Sequence, residues 1–340
     1  MKNKILVTGG TGFIGSHFID LSLSKNYYDI DIIFSENNAS QQDKENLNKF
    51  KDQCNIIEAD ISNKDELEKK VVNKEYDFII NFAAISRPIY ADYMKYLKIN
   101  SMGTLNVCGI AKKCIFLKKI IHISTVSVLG QSENGIPLDE NNFNDIKDDY
   151  GISKKISEEI FLTYCRDNKI PYTVYRPCLT YGPGCMPRLL MFKFINIGIF
   201  PLFNKGETRI EFLYVKNFTE LLYENLNLNK DLNEIFNVTD GNSYEIAEIV
   251  KTISSSLSKK RGFIPLNKNI GRILGYTAYI IFKLLRKKEP FSHNTVKWMT
   301  SDVNVYSSEK AKTKLNYVRR YSLVEGIKET VNWYKKNNHL

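Results

Sequence analysis

The chain is short of the residues that build metal centres and disulfide frameworks. It carries only four histidines and six cysteines in 340 residues. The cysteines, at 54, 108, 114, 165, 178 and 185, show no C-x-x-C or other ligand spacing, and no histidine clusters with them. This argues against a structural zinc site and a disulfide scaffold, and for free thiols in a reducing cytoplasm. No uninterrupted apolar run reaches bilayer-spanning length. Met-Lys-Asn-Lys leads directly into a strand pattern, so no signal peptide is expected. Internal repeats and low-complexity linkers are absent as well. The net charge is +10, but the lysines are scattered among asparagines, and no basic stretch alternates with aromatics. Nucleic acid is therefore not an expected partner. The excess reads as a solvated basic surface that also attracts phosphate-bearing substrates.

The chain has the material for a large core: 43% hydrophobic and 25% charged residues are ordinary for a globular protein. Lys4-Ile5-Leu6-Val7-Thr8 is a short apolar run of the kind that forms a buried parallel strand. Gly9, Gly12 and Gly15 follow at three-residue spacing, and residues 13–23 have helical character. The expected unit is strand, tight turn, helix. Glycine permits the turn and lets backbone approach a pyrophosphate, while the helix N-terminus offers unpaired N–H groups. A glycine pattern alone is weak; one that follows a strand and opens a helix is a dinucleotide signal.

Strand patterns at 30–35, 54–58, 77–82, 119–124 and 172–176 alternate with helical patterns near 42–52, 64–74, 92–115 and 149–168. The alternation predicts an α/β fold, a Rossmann-type doubly wound parallel sheet. After Pro177 the pattern loosens. It predicts a helix at 189–198, a strand at 211–215, and helices near 217–227, 243–258 and 322–336. Residues 1–176 read as the dinucleotide-binding domain. Residues 177–340 read mainly as a smaller substrate-binding lobe, with room for late elements to return to the first domain.

Tyr150 and Lys154 are four apart and share one helix face. A phenol loses its proton near pH 10, and a neighbouring ammonium favours the phenolate. Such a tyrosine can act as general base in one direction and general acid in the other. Thr125, at the end of the 119–124 strand, can hydrogen-bond the reacting oxygen. Tyr-x-x-x-Lys is common by chance. Its order and spacing with Thr125 and the glycine loop favour a catalytic reading.

With these motifs the chain resembles, almost end to end, the extended short-chain dehydrogenase/reductases, the NAD-dependent epimerase and dehydratase group. The resemblance implies cofactor contacts for Gly9, Gly12, Phe13, Ile14 and Gly15, and an adenine pair in Asp60 and Ile61. It implies further cofactor contacts for Phe82, Ala83 and Ala84 in Asn81-Phe82-Ala83-Ala84, for Ser124, Tyr150 and Lys154, and for Pro177 in Tyr175-Arg176-Pro177. Asn100 is similar to the family's structural or relay asparagine. Thr125, five before Gly130, matches the Ser/Thr site, and Tyr181-Gly182-Pro183-Gly184 matches the loop after strand six. Arg209, before Phe212-Leu213-Tyr214-Val215, looks like the arginine that holds a sugar-nucleotide diphosphate.

Departures narrow this picture. Val126-Ser127 follows Thr125 where the 4,6-dehydratases carry Asp-Glu, so dehydration is not expected. Leu179 replaces an asparagine that touches substrate in many epimerases, and no Arg-x-Gly-Asp signature stands near 285–292. The segment 264–315 is similar to a branch that includes reductases and 3β-hydroxysteroid-dehydrogenase-like proteins. Strand two ends in Ser35, with Glu36 beyond it and no base before Lys44. Glu36 would repel a 2′-phosphate, which favours NAD, with NADP as the alternative. Residues 272–288 are apolar with basic flanks but too short to span a bilayer. Packing on the lobe or in a dimer contact is preferred there over a peripheral membrane contact.

The expected protein is an NAD(P)-dependent homodimeric enzyme acting on a secondary alcohol or ketone. C4 epimerisation of a nucleotide sugar through a 4-keto intermediate is favoured. The alternatives are a net ketoreductase or hydroxysteroid-dehydrogenase-like enzyme, and a non-catalytic dinucleotide sensor. Thr125, Tyr150 and Lys154 are the candidate catalytic residues, and Thr125, Tyr150 and Arg209 the candidate substrate contacts.

Overall fold

β1 (Asn3–Thr8) forms where the apolar run places it, with Ile5, Leu6 and Val7 fully buried in the middle of a parallel sheet. The computed structural model describes residues 2–71, 75–85, 93–132, 135–146, 148–226, 233–260, 262–267 and 303–340, with isolated positions 269, 273, 276 and 277. β2 (Tyr28–Phe34) and β3 (Asn55–Glu58) lie on one side of β1. β4 (Phe78–Asn81), β5 (Lys119–Ile123) and β6 (Tyr172–Pro177) lie on the other. A seventh parallel strand, β10 (Glu234–Val238), pairs with β6, giving the order β10-β6-β5-β4-β1-β2-β3. The order reverses between β1 and β4, so the crevice at their carboxyl ends is where such a sheet binds ligands.

Strand alternation assigns each side chain to one of two helical layers. Ile5, Val7, Phe78, Ile80, Ile121 and Ile123 pack with α1 (Phe13–Lys25) and α8 (Val215–Leu226). Leu6, Ile79 and Ile120 pack with α5 (Gly103–Lys113) and α6 (Asp149–Asp167). Both faces are thus covered, as the near-continuous apolar strands require. Between α4 (Tyr93–Tyr96) and α5, the helix expected over 92–115 widens into a π-type turn at 97–102 that includes the buried Asn100. Such single wide turns recur at functional sites.

A second core lies outside the large sheet. It gathers β7 (Leu179–Tyr181), α7 (Met186–Asn196), β8 (Phe200–Phe203), β9 (Arg209–Tyr214), α9 (Ile246–Ser256) and α11 (Leu323–Lys336). The helix expected from 243 begins instead as a strand, β11 (Ser243–Glu245), antiparallel to β9. Three residues are too few for a period-2 pattern to register, and Tyr244 is buried opposite Ile210 by pairing rather than by helix packing. β8, β12 (Phe263–Leu266) and α10 (Glu309–Leu315) are likewise too short to read in advance. Phe13 and Ile14 pack against this second core, and Ile14 also packs against the first, so the opening turn of α1 joins the two.

α6 is anchored to β6 by a buried ion pair. Arg176 Nε donates to Glu158 Oε2 at 3.0 Å and Nη2 to Oε1 at 2.5 Å, while Nη1 reaches Glu140 O at 3.1 Å. Both side chains are 1% exposed. Removing one partner of such a pair leaves a buried, uncompensated charge. Glu158→Ala should therefore lose about 3–5 kcal/mol in urea unfolding. Glu158→Leu combined with Arg176→Met should recover most of that loss.

Candidate active site

The glycine loop closes on itself so tightly that side chains cannot enter. A Cβ on Gly15 would stand 2.2 Å from Gly9 O, and one on Gly9, whose φ is +66°, would stand 2.7 Å from Ala83 N. Gly12 N donates to Gly9 O at 3.1 Å, and Asn46 Nδ2 holds Thr11 O at 2.7 Å. Gly12 caps α1 with no side-chain acceptor, so the first N–H groups of the helix stay available to an anion. Phe82 N bonds Thr8 O and Ala83 N reaches Thr8 Oγ1, seating 82–84 beside the loop. The buried Ser124 Oγ has no hydrogen-bond partner. A bare backbone cradle after β1, with an orphan hydroxyl just past β5 across β4, fits a dinucleotide.

The ends of β2 and β3 form the far rim. Asn38 Nδ2 bridges Ser35 Oγ (3.3 Å) and Asp60 Oδ2 (3.1 Å), and Asp60 Oδ1 accepts from Ser62 N. Ile61 packs so close to α5 that a Cβ on Gly103 would meet it at 2.7 Å. Glu36 is ion-paired with Lys44. Ser35, Asp60 and Ile61 thus come together at one place.

α6 starts at Asp148, whose carboxylate accepts from Gly151 N at 3.0 Å. This cap fixes Tyr150 in the first turn, where its ring lies edge-on to Tyr96 at 6.2 Å. One turn on, Lys154 is 1% exposed, and its Nζ donates to Ile123 O at 2.8 Å. That carbonyl is the last of β5, immediately before Ser124 and Thr125. The ammonium therefore ties the Tyr-x-x-x-Lys helix to the strand end that bears the hydroxyls. Burial pushes the Lys154 pKa down to about 8, partly opposed by Glu158. Thr125 Oγ1 accepts from Ser127 N and lies 3.3 Å from Ser127 Oγ. Pro177 ends β6 next to this group.

Behind the site runs a polar network that motif reading did not assemble. Thr8 Oγ1 donates to Asn81 Oδ1 at 2.6 Å, and Asn81 Nδ2 reaches Thr104 Oγ1 and His122 Nδ1. His122 Nε2 faces Ser157 Oγ at 3.4 Å, Ser157 meets Thr104, and Thr104 donates to Asn100 O. Asn100 Nδ2 donates to Ser153 Oγ, and its Oδ1 accepts from Ile85 N. Burial, then the Lys154 charge, holds His122 well below its ordinary pKa, so it stays neutral. The available signal was a lone polar residue in the otherwise apolar run Ile120-Ile121-His122-Ile123.

Arg209 stands apart from this group. It is exposed at the start of β9, with its guanidinium on Ser243 Oγ (2.9 Å), Ser243 O (2.7 Å) and Glu245 (3.5 Å). The second diphosphate signature sought near 285–292 and the segment 272–288 lie outside the described residues, apart from 273, 276 and 277. Among the described residues, no helix is long and apolar enough to cross a membrane.

The depressed pKa of Lys154 has a testable sign. The unfolded lysine keeps its proton up to about 10.5 and the folded one only to about 8. Between these values the unfolded chain binds more protons, so stability from this group rises with pH. Below pH 8 the full burial penalty applies. Lys154→Met should therefore be roughly 1–3 kcal/mol more stable than the unmodified protein at pH 7, with the gap closing towards pH 10.5. Denaturation at several pH values without cofactor measures this. A variant less stable at pH 7 would contradict it.

The sequence model of the NAD dependent epimerase/dehydratase family matches residues 5–239. A putative UDP-glucose 4-epimerase of Methanocaldococcus jannaschii is 28% identical over 348 residues, covering 98% of this chain and 99% of its own. The UDP-glucuronic acid 4-epimerase of Bacillus cereus, solved with NAD, superposes with a TM-score of 0.77 at 22% identity, covering 98% and 99% of the two chains. The UDP-glucose 4-epimerase of Thermotoga maritima, solved with UDP-glucose, gives 0.78 at 23% identity and the same coverage. At such identities these structures speak for the fold alone. The family match covers more than half of the chain, which belongs to the NAD dependent epimerase/dehydratase family and is an NAD-dependent enzyme.

Proposed function

We propose that the protein interconverts nucleotide sugars differing at C4, through a 4-keto intermediate. The observation that carries this reading is one proton-handling pair, Tyr150 and Lys154, tied to the strand end that bears Ser124 and Thr125. No carboxylate stands between 124 and 130, and Val126 and Val128 are buried there. Such a site handles a proton and a hydride at one carbon but lacks the acid and base that an elimination needs. The relatives named above act on UDP-glucose or UDP-glucuronic acid by their names, which supports the substrate class.

Gly9, Gly12, Phe13, Ile14 and Gly15 would hold the NAD diphosphate, and Ser35, Asp60 and Ile61 its adenosine. Phe82, Ala83, Ala84, Ser124, Lys154 and Pro177 would line the nicotinamide end. NAD, when bound, supplies the hydride acceptor and donor. Tyr150 takes the C4 hydroxyl proton and later returns it, Thr125 steadies the same oxygen, and Asn100 positions α6 through Ser153. Arg209 would clamp the diphosphate by exchanging Ser243 and Glu245 for it. Six buried free thiols suit a cytoplasmic location.

The test is incubation with UDP-glucose and a trace of NAD, followed by separation of the sugars. The C4 epimer should accumulate to equilibrium with no net change in NADH. Product formed only with stoichiometric NADH would replace the epimerase by a ketosugar reductase. Tyr150→Phe should lower turnover ~10²–10⁴-fold while NAD affinity, followed by calorimetry, stays within a few-fold. Activity retained within a few-fold would remove Tyr150 from the proton-transfer role.

A further inference from the structure

Sixteen large apolar side chains are exposed among the described residues, and five come from two stretches that meet in the second core. Met186, Leu190, Ile197 and Ile199 lie on or just after α7, and Ile264 lies on β12. The first three stand on one helical stripe at spacings of four and seven. The stripe runs into β8, which pairs in parallel with β12, so Ile264 lies opposite Pro201. Gly262 closes the seam: a Cβ there would stand 2.5 Å from Ile195 Cγ2. The exposed residues of α7 and β12 thus sit on paired and packed elements rather than being scattered over the surface.

Lys193 falls within the stripe, and Lys259 and Lys260 precede β12. All three are exposed, and none pairs with a carboxylate among the described residues. Apolar side chains interleaved with free ammonium groups suit one partner chemistry. A second copy of the chain would set like charges against each other across a symmetric contact. An anionic lipid surface accepts the apolar groups at the acyl boundary and neutralises the lysines, whose stems snorkel to the headgroups.

We propose that the α7–β8–β12 face is a peripheral docking surface for an anionic lipid membrane. It holds the enzyme at the bilayer without spanning it, and it does not depend on the reaction assigned to Tyr150.

The experiment is co-sedimentation of the full chain with vesicles of phosphatidylglycerol and phosphatidylcholine, against phosphatidylcholine alone. The protein should pellet with the anionic vesicles and be released by high salt. Leu190→Glu with Ile197→Glu, and Lys193→Glu with Lys259→Glu and Lys260→Glu, should each weaken partitioning at least about tenfold. The melting temperature and the NAD-induced shift should stay unchanged. Failure to pellet, equal pelleting with neutral vesicles, or undiminished binding by both variants would overturn the proposal. So would a dimer that the same substitutions dissociate, which would give the face to a second copy. The lipid and salt comparisons use the unmodified protein, so they decide the matter even if a variant does not fold.

Discussion

A single buried ammonium sets the geometry on which the site depends. Lys154 gives up nearly all contact with water and donates a hydrogen bond to the last carbonyl of β5. A charge in that position is unfavourable by itself, as its lowered pKa shows. The charge of Glu158 partly offsets that penalty. Glu158 lies one turn further along α6 and is fixed in turn by Arg176 from β6. His122 stays uncharged, which avoids a second buried cation beside the first. The proposed proton-handling face of α6 is therefore tied by electrostatics to the neighbouring strands β5 and β6.

The same logic joins the two halves of the molecule. The first turn of α1, proposed to present its backbone N–H groups to a phosphate, also packs Phe13 and Ile14 into the second core. His17, one turn later, bonds Pro183 O at 2.8 Å in the loop that leads into the lobe. Burial lowers the pKa of His17, which favours the neutral ring there. The second core and the turn that follows the glycine loop therefore share side chains. A shift in one is felt at the other by direct packing.

The sheet was legible because parallel strands buried on both faces read as apolar runs, and the glycine spacing marked the first turn. The helix that bears Tyr150 and Lys154 was legible from the helical pattern over 149–168 and their four-residue spacing. Short elements escaped: β10 and β11 have five and three residues, and their identity is decided by the strands they meet. The network through Asn81, Thr104, His122 and Ser157 escaped for another reason. Its members are far apart in sequence, and each alone is an ordinary polar residue. For Arg209, sequence spacing gave a residue type but not its surroundings, Ser243 and Glu245.

The central claim is that Lys154 is a buried ammonium fixed on Ile123. The direct measurement is an NMR titration of the lysine side-chain signals in isotopically labelled protein, with Lys154 assigned by substitution. One lysine should titrate near 8, far below the rest, and that signal should vanish in the Lys154 variant. A Lys154 that titrates with the others near 10.5 would mean that its side chain is hydrated, and the arrangement described here would be wrong.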